Sequence, residues 1–280
     1  MKPHTTILLT LIVLIFLGRA SRISAQQSLS ERFSGHNRAM ASRQPVFITP
    51  LVGTDPRLVQ YTKFSVSHEY TSAGAETVNY GNGRGTGIIA GNRFEFDFIQ
   101  PPYIQHNSAA DDGFGDAAVL AKYRVVSRNA EAGNYAVALA LSHCFATGSH
   151  KNGAATDSFG PTVAAGYAFH HFDVISSLGG TLPTGKIATQ GRSIAWNTES
   201  QVHLKPHLWF EVENNATFFA GGSHDGKMQN FVTPAAFYVI RGKNWKPTRP
   251  SFILDGGMQI ATSGFHTFNH NLITELRMLF

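Results

Sequence analysis

The sequence predicts an all-β protein: a transmembrane antiparallel up-and-down β-barrel of about twelve strands behind a cleaved N-terminal signal peptide. Three observations point there. Apolar and charged residues alternate in step from about residue 44 to the end. The alternating stretches run to about 10–13 residues, which suits a tilted membrane strand better than the shorter strands of ordinary sheets. The chain also opens on an export signal and closes on Phe280, with apolar Met278 and Leu276 two and four positions earlier.

Residues 1–25 join a basic start to an apolar run and a small-residue stop, with cleavage expected after Ala25 or after Ala20. The run is too short for a membrane span, and no cysteine follows it to take a lipid anchor. Export followed by a barrel means the bacterial outer membrane. Without Lys2, Arg19 and Arg22 the 23 basic and 18 acidic residues become 20 against 18, a net charge of +2. No clustered basic face is left for nucleic acid. Residues 26–43 are polar and aperiodic and predict a flexible lead-in.

The barrel domain is expected over 44–280. Its strands are predicted at 45–53, 58–71, 86–99, 115–126, 133–146, 158–169, 172–182, 193–204, 207–219, 229–240, 251–262 and 270–280. The first carries two prolines and is the weakest pattern, and Pro234 inside 229–240 implies a bulge. His170–His171 and Lys205–Pro206 are very short connections, suited to periplasmic turns; 147–157, 183–192 and 220–228 then lie outside.

Successive strand residues face opposite ways. In 93–99, Phe94, Phe96 and Phe98 oppose Arg93, Glu95 and Asp97; in 208–218, Phe210, Val212 and Phe218 oppose Glu211, Glu213 and Asn215. A soluble sandwich would bury the apolar faces, whereas a membrane barrel turns them to lipid. Only 15% of residues are charged, mean hydropathy is −0.10, and beyond residue 20 no apolar run can span a bilayer as a helix. Cys144 is the one cysteine, so no disulfide scaffold is available. In this register the lumen receives Lys63, Arg93, Lys122, Arg124 and Arg277, with Glu69, Glu95, Asp97, Asp116, Glu199, Glu211, Glu213, Asp255 and Glu275. The excess of acids mildly favours cations. Such a set makes a polar channel, or a salt-bridged interior that fills the barrel.

Residues 113–125, with Gly113, Gly115, Asp116, Lys122, Tyr123 and Arg124, resemble the G-x-G-D…K-Y-R-L block of a bacterial outer-membrane barrel family. That family is labelled as the meta-pathway of phenol degradation, or simply as transporters. Phe145 to Ser149, Gly160-Pro161 with Ala165-Gly166-Tyr167, and Leu182 to Gly185 are similar further blocks, so the likeness spans about 45–280. It implies a barrel that passes small compounds, aromatic ones among them, by a narrow passive route. It offers no catalytic residues to carry over, and no cofactor is expected. Phe280, with Met278 and Leu276, resembles the signal read by the barrel assembly machinery. Outer-membrane lipid and that machinery are the expected partners, with no nucleic acid; the solute and the oligomeric state are left open.

Other motifs have plainer readings. Gly180 to Lys186 matches a phosphate-loop pattern, but Ile187 follows where Ser or Thr is needed and no helix is expected there. Gly81 to Gly87 reads as a turn between strands. The histidine pairs 203/207 and 266/270 lack a third ligand at metal spacing, so no metal is expected and rim histidines are the better account. An outward-facing His143 could serve a lipid hydrolase, but Ser142 points to the opposite face, and the chain is expected not to be an enzyme. A non-conducting structural or adhesive barrel is the other alternative.

Overall fold

The computed structural model describes residues 29–241 and 251–280; the expected signal segment 1–25 lies outside them. Within the stretch expected as a flexible lead-in, a helix forms, α1 (Leu29–Ala41). From His36 onward it is anchored: His36 Nε2 bonds Gly91 O at 2.8 Å, Asn37 Nδ2 donates to the terminal Phe280 O, and Met40 is buried with Leu58 and Ile89.

The rest is almost all strand. β1 (Tyr61–Tyr70) precedes two broken staves, β2 (Glu76–Tyr80) with β3 (Gly85–Ala90), and β4 (Phe94–Ile99) with β5 (Tyr103–His106). β6 (Gly113–Phe114) and β7 (Ala117–Arg128) make the fourth stave. Then follow β8 (Tyr135–Phe145), β9 (Ser158–Phe169), β10 (Phe172–Pro183), β11 (Arg192–Lys205), β12 (Leu208–Ala220), β13 (Met228–Ile240), β14 (Ser251–Ala261) and β15 (His270–Leu279). Neighbouring staves pair antiparallel, and β15 returns to β1, from Tyr61 opposite Leu279 to Tyr70 opposite His270. The sheet is a closed barrel of twelve staves. Closure is how a sheet meets hydrocarbon without an unpaired edge.

The number twelve matches the expectation, but the division differs at the start of the chain. The expected strand 45–53 is not a strand; Pro45 and Pro50 remove two donors, and the segment runs inside the barrel instead. The expected strand 86–99 is a hairpin, with β4 folded back on β3 so that Ala90 faces Phe94. Gly91, at φ 63°, makes that turn. The stave missed by the sequence reading starts at Glu76. The glycine-rich stretch 81–85 is a break within this stave, and the β1–β2 turn is at 71–75, closed by Thr71 N to Ala75 O at 3.0 Å.

Pro234 forms no bulge. It pairs opposite Val212, while the β13–β14 ladder skips between Val232–Ile260 and Ala235–Gly257 in unchanged register. Pro161 likewise leaves a gap in the β9–β10 ladder between Thr162–Gly179 and Phe159–Leu182. Each missing N–H costs the ladder on one side only.

Turns at 91–93, 129–134, 170–171 and 206–207 share one end with Tyr61 and Phe280. The longer connections 146–157, 184–191, 221–227 and 262–269 lie at the other. Outward side chains are mostly apolar around the circuit: Phe64, Phe96, Leu141, Leu178, Val212, Leu254 and Leu276 are 42–54% exposed, while Glu95, Glu199 and Glu213 are fully buried within. That inversion suits a lipid surround. Among the described residues no helix is long and apolar enough to cross a membrane.

Candidate functional site

The interior of the barrel concentrates buried charge of both signs, and the chain itself occupies part of it. Residues 44–60 fold into a closed loop. Gln44 Nε2 donates to Leu58 O at 2.9 Å and Leu58 N donates to Gln44 Oε1 at 2.7 Å, tying the loop at its base. Inside it, Asp55 accepts from Thr49 Oγ1 at 2.6 Å and pairs with Arg57 at 2.7 Å, and the Arg57 guanidinium lies 4.4 Å from the centre of the Phe47 ring.

The barrel wall grips this inner segment through its backbone. Gln201 both donates to and accepts from Ile48. Glu211 accepts Leu51 N at 3.1 Å, and Glu213 accepts Val52 N at 2.8 Å and Gly53 N at 3.1 Å. Arg277 donates to Thr49 O at 2.6 Å and Pro50 O at 3.1 Å, and Lys122 to Arg57 O at 3.1 Å. Glu95 accepts Val59 N at 2.5 Å. A segment too rich in proline to join a ladder thus has its backbone groups met by side chains, as buried polar groups require.

Apolar packing completes the seat. Phe47, Ile48 and Leu51 form one cluster with Ile175, Trp209, Phe237, Ile253 and Ile273 from the wall. The inner face is therefore not uniformly polar, as the alternation had implied; its apolar positions gather where the segment lies. Small residues make the room. A Cβ at Gly166 would stand 2.9 Å from Phe47, one at Gly257 2.7 Å from Leu51, and one at Gly53 would collide with the Glu199 carboxylate.

The residues singled out from sequence fall into several groups. Lys122 pairs with Glu95 at 2.7 Å beside buried Asp97. Arg277 pairs with Asp255 at 3.0 Å and with Glu275, which Lys63 reaches at 3.3 Å. Glu199, Glu211 and Glu213 surround the tip of the inner segment, and Glu199 stands opposite Glu213 in the β11–β12 register. Glu69 is half-buried at the far end of β1, opposite Asn271. Arg124 lies inside, near the short-turn end, with Nη2 on Asn92 O at 2.6 Å. Two others are placed away from the interior set. Arg93 is exposed in the β3–β4 turn, where Nη1 donates to Tyr123 Oη at 2.8 Å. Asp116 fastens the 146–157 loop by accepting Gly148 N at 2.8 Å and Ala154 N at 2.6 Å. At the C-terminus, Leu276 faces outward, Met278 is half-buried, and Phe280 N donates to Gln60 O at 3.2 Å.

Sequence reasoning passed over Gln201 and Asp173, both buried inside; Asn215, which alternation set on the same face as Glu211 and Glu213, is buried there too. Asp173 was readable as the polar position between outward Phe172 and Val174. The inner segment was not, because its partners lie up to 228 positions away.

Beyond the tip of the inner segment the cavity wall carries no charged side chain. A cavity of about 330 Å³ there is lined by Thr54, Ser142, Thr162, Ser177 and Asn197, with glycines between them. Ser142 does point inward, with Oγ to Gly160 O at 3.4 Å, while His143 faces out, between the Phe145 and Phe159 rings and 3.4 Å from Asp157. A single helical turn, α2 (Ile187–Gln190), follows Lys186 where none was expected, in an end loop between two strands. Among the described residues no group of three or more His, Cys, Asp or Glu side chains is placed to hold a metal.

No family model matches the chain, and no curated protein matches it. Among solved structures, the NanC porin superposes with a TM-score of 0.50 at 9% identity, over 78% of this chain and 98% of that one. An outer-membrane channel from Pseudomonas putida gives 0.48 at 11% identity, over 84% and 100%. The outer-membrane channel DcaP of Acinetobacter baumannii gives 0.33 at 8%, over 79% and 96%. The likeness to the porin is one of fold: this chain has a porin-like barrel.

Proposed function

We propose that this chain is a bacterial outer-membrane channel for the passive passage of small molecules, narrowed by its own inner segment. The observation that carries the reading is the inside-out barrel: an apolar outer circuit around a closed sheet whose interior holds buried Glu, Asp, Lys and Arg. An interior like this is costly to build and has a use where polar solutes or ions must cross lipid. The inner segment then sets the bore at the short-turn half, and the hydroxyl-lined half beyond it forms a vestibule. The pore-lining set would be the interior residues singled out from sequence, with Arg93 and Asp116 acting at the two rims.

Passage of aromatic compounds rests on the resemblance to the phenol meta-pathway family, and insertion by the barrel assembly machinery on Leu276, Met278 and Phe280. The signal peptide over 1–25 belongs to the same reading.

A second reading has an observation in its favour. The inner segment is gripped by Gln201, Glu211, Glu213, Arg277 and Lys122 at once, which suits a permanently filled structural barrel. Swelling of liposomes containing the refolded full chain separates the two. A channel admits small sugars and small aromatic acids at rates that fall with solute size. A folded barrel that admits none supports the filled one.

A further inference from the structure

At the short-turn end of the barrel, a cavity of about 570 Å³ lies between the β3–β4 turn, the end of β7 and residue 43. Four arginines line it, Arg43, Arg93, Arg124 and Arg128, and every other lining residue is neutral. None of the four makes an ion pair among the described residues. Glu131, in the neighbouring β7–β8 turn, does not line the cavity.

Arg124 is the centre of the arrangement. It is 8% exposed, its Nη2 is used by Asn92 O, and its Nη1 is buried with no hydrogen-bond partner. Arg43 and Arg93 act on it with charge of the same sign. A buried guanidinium that is repelled by its neighbours and has a donor left over is costly unless an anion completes it. The walls are held in place. Ser127 Oγ donates to Arg43 O at 3.0 Å, Asn129 Nδ2 donates to Ser42 O at 3.1 Å, and Tyr123 Oη fixes Arg93. A register shift between Arg124 and Val126 bends β7 at this point, and such bulges re-aim side chains.

We propose that this cavity binds a small oxyanion, a carboxylate or phosphate group, seated against the free edge of the Arg124 guanidinium with Arg43 and Arg93 around it. Planar guanidinium donors match two-oxygen acceptors of this kind. The group could belong to a soluble anion at the mouth of the barrel or to the headgroup of an anionic phospholipid beside it. The inference does not depend on conduction.

The test is calorimetric titration of the refolded full chain in zwitterionic detergent with inorganic phosphate, with benzoate, and with phosphatidylglycerol mixed into the micelles. Saturable binding of at least one probe is expected. Arg124→Gln should weaken it about tenfold or more, and Lys186→Gln, in a loop at the opposite end, should leave it unchanged. Phosphate or benzoate binding in lipid-free micelles identifies a soluble anion; binding of phosphatidylglycerol alone identifies a headgroup. If Arg124→Gln fails to fold, Arg43→Gln, an exposed side chain at the same cavity, should show the loss. No saturable binding of any probe, or undiminished binding by both variants, overturns the proposal.

Discussion

Gln201 and Ile48, 153 positions apart, are joined by both halves of one side-chain amide: Nε2 donates to Ile48 O at 2.9 Å and Oε1 accepts from Ile48 N at 3.1 Å. The side chain does what a neighbouring strand would do. Its Nε2 also donates to Glu211 at 2.6 Å, so the barrel wall and the inner segment share one network.

Gln201→Leu should therefore cost about 1–3 kcal/mol, because it leaves a buried backbone N–H and C=O without partners. The unheated, fast-migrating barrel on a gel should convert to the slow form at a lower temperature than in the parent chain. An unchanged conversion temperature would argue that the segment is not held this way.

Gly53→Val tests the tip of the segment. A side chain there meets the Glu199 carboxylate, and overpacking of this kind costs about 1–3 kcal/mol. The segment carries few of the barrel's own ladder contacts, so the tip should be displaced while the barrel stays folded. Larger ionic currents with an intact gel shift are expected; a current identical to the parent's contradicts the placement.

Arg277 joins Asp255, Glu275, Thr49 O and Pro50 O in one buried group. Arg277→Leu strands the Asp255 carboxylate and leaves Glu275 with Lys63 alone, and should destabilise by about 3–5 kcal/mol. Combining it with Asp255→Asn and Glu275→Gln should recover part of that loss, a coupling that a double-mutant analysis of urea unfolding in micelles would detect. Additive losses would mean that these charges do not act as a unit.

The lipid-facing assignment is checked on two positions. Val212 points outward and is 52% exposed, so Val212→Arg should cost about 2–4 kcal/mol if it lies near the bilayer midplane. Thr181 lines the vestibule, and Thr181→Arg should change stability by less than about 0.5 kcal/mol. Equal effects on folding into lipid vesicles would reverse the inside-out reading.

The fold was largely legible because a membrane barrel repeats one local rule, two-residue alternation, around its circuit. From β7 onward each expected strand has its counterpart in the structure, and charges such as Glu211, Glu213 and Arg277 lie on the face that alternation gives them. The failures lie where local pattern and tertiary role diverge. Phe47, Ile48 and Leu51 look like one side of a strand but are knobs of a loop held by distant side chains. Phe94, Phe96 and Phe98 alternate so strongly that they hid the turn at Gly91. The apolar inward positions Ile175 and Phe237 break the alternation for a reason found only in the segment they pack against. The arginine cavity was invisible in the same way, since Arg43, Arg93 and Arg124 meet only when the β3–β4 turn closes over the end of β7.

Single-channel conductance of the refolded full chain in a planar bilayer, set beside a variant lacking residues 46–56, tests the central claim most directly. A channel narrowed by its own inner segment predicts small discrete steps for the full chain and clearly larger steps for the shortened one, both from barrels that migrate fast unheated. Steps of equal size, or a shortened barrel that folds and never conducts, would contradict it.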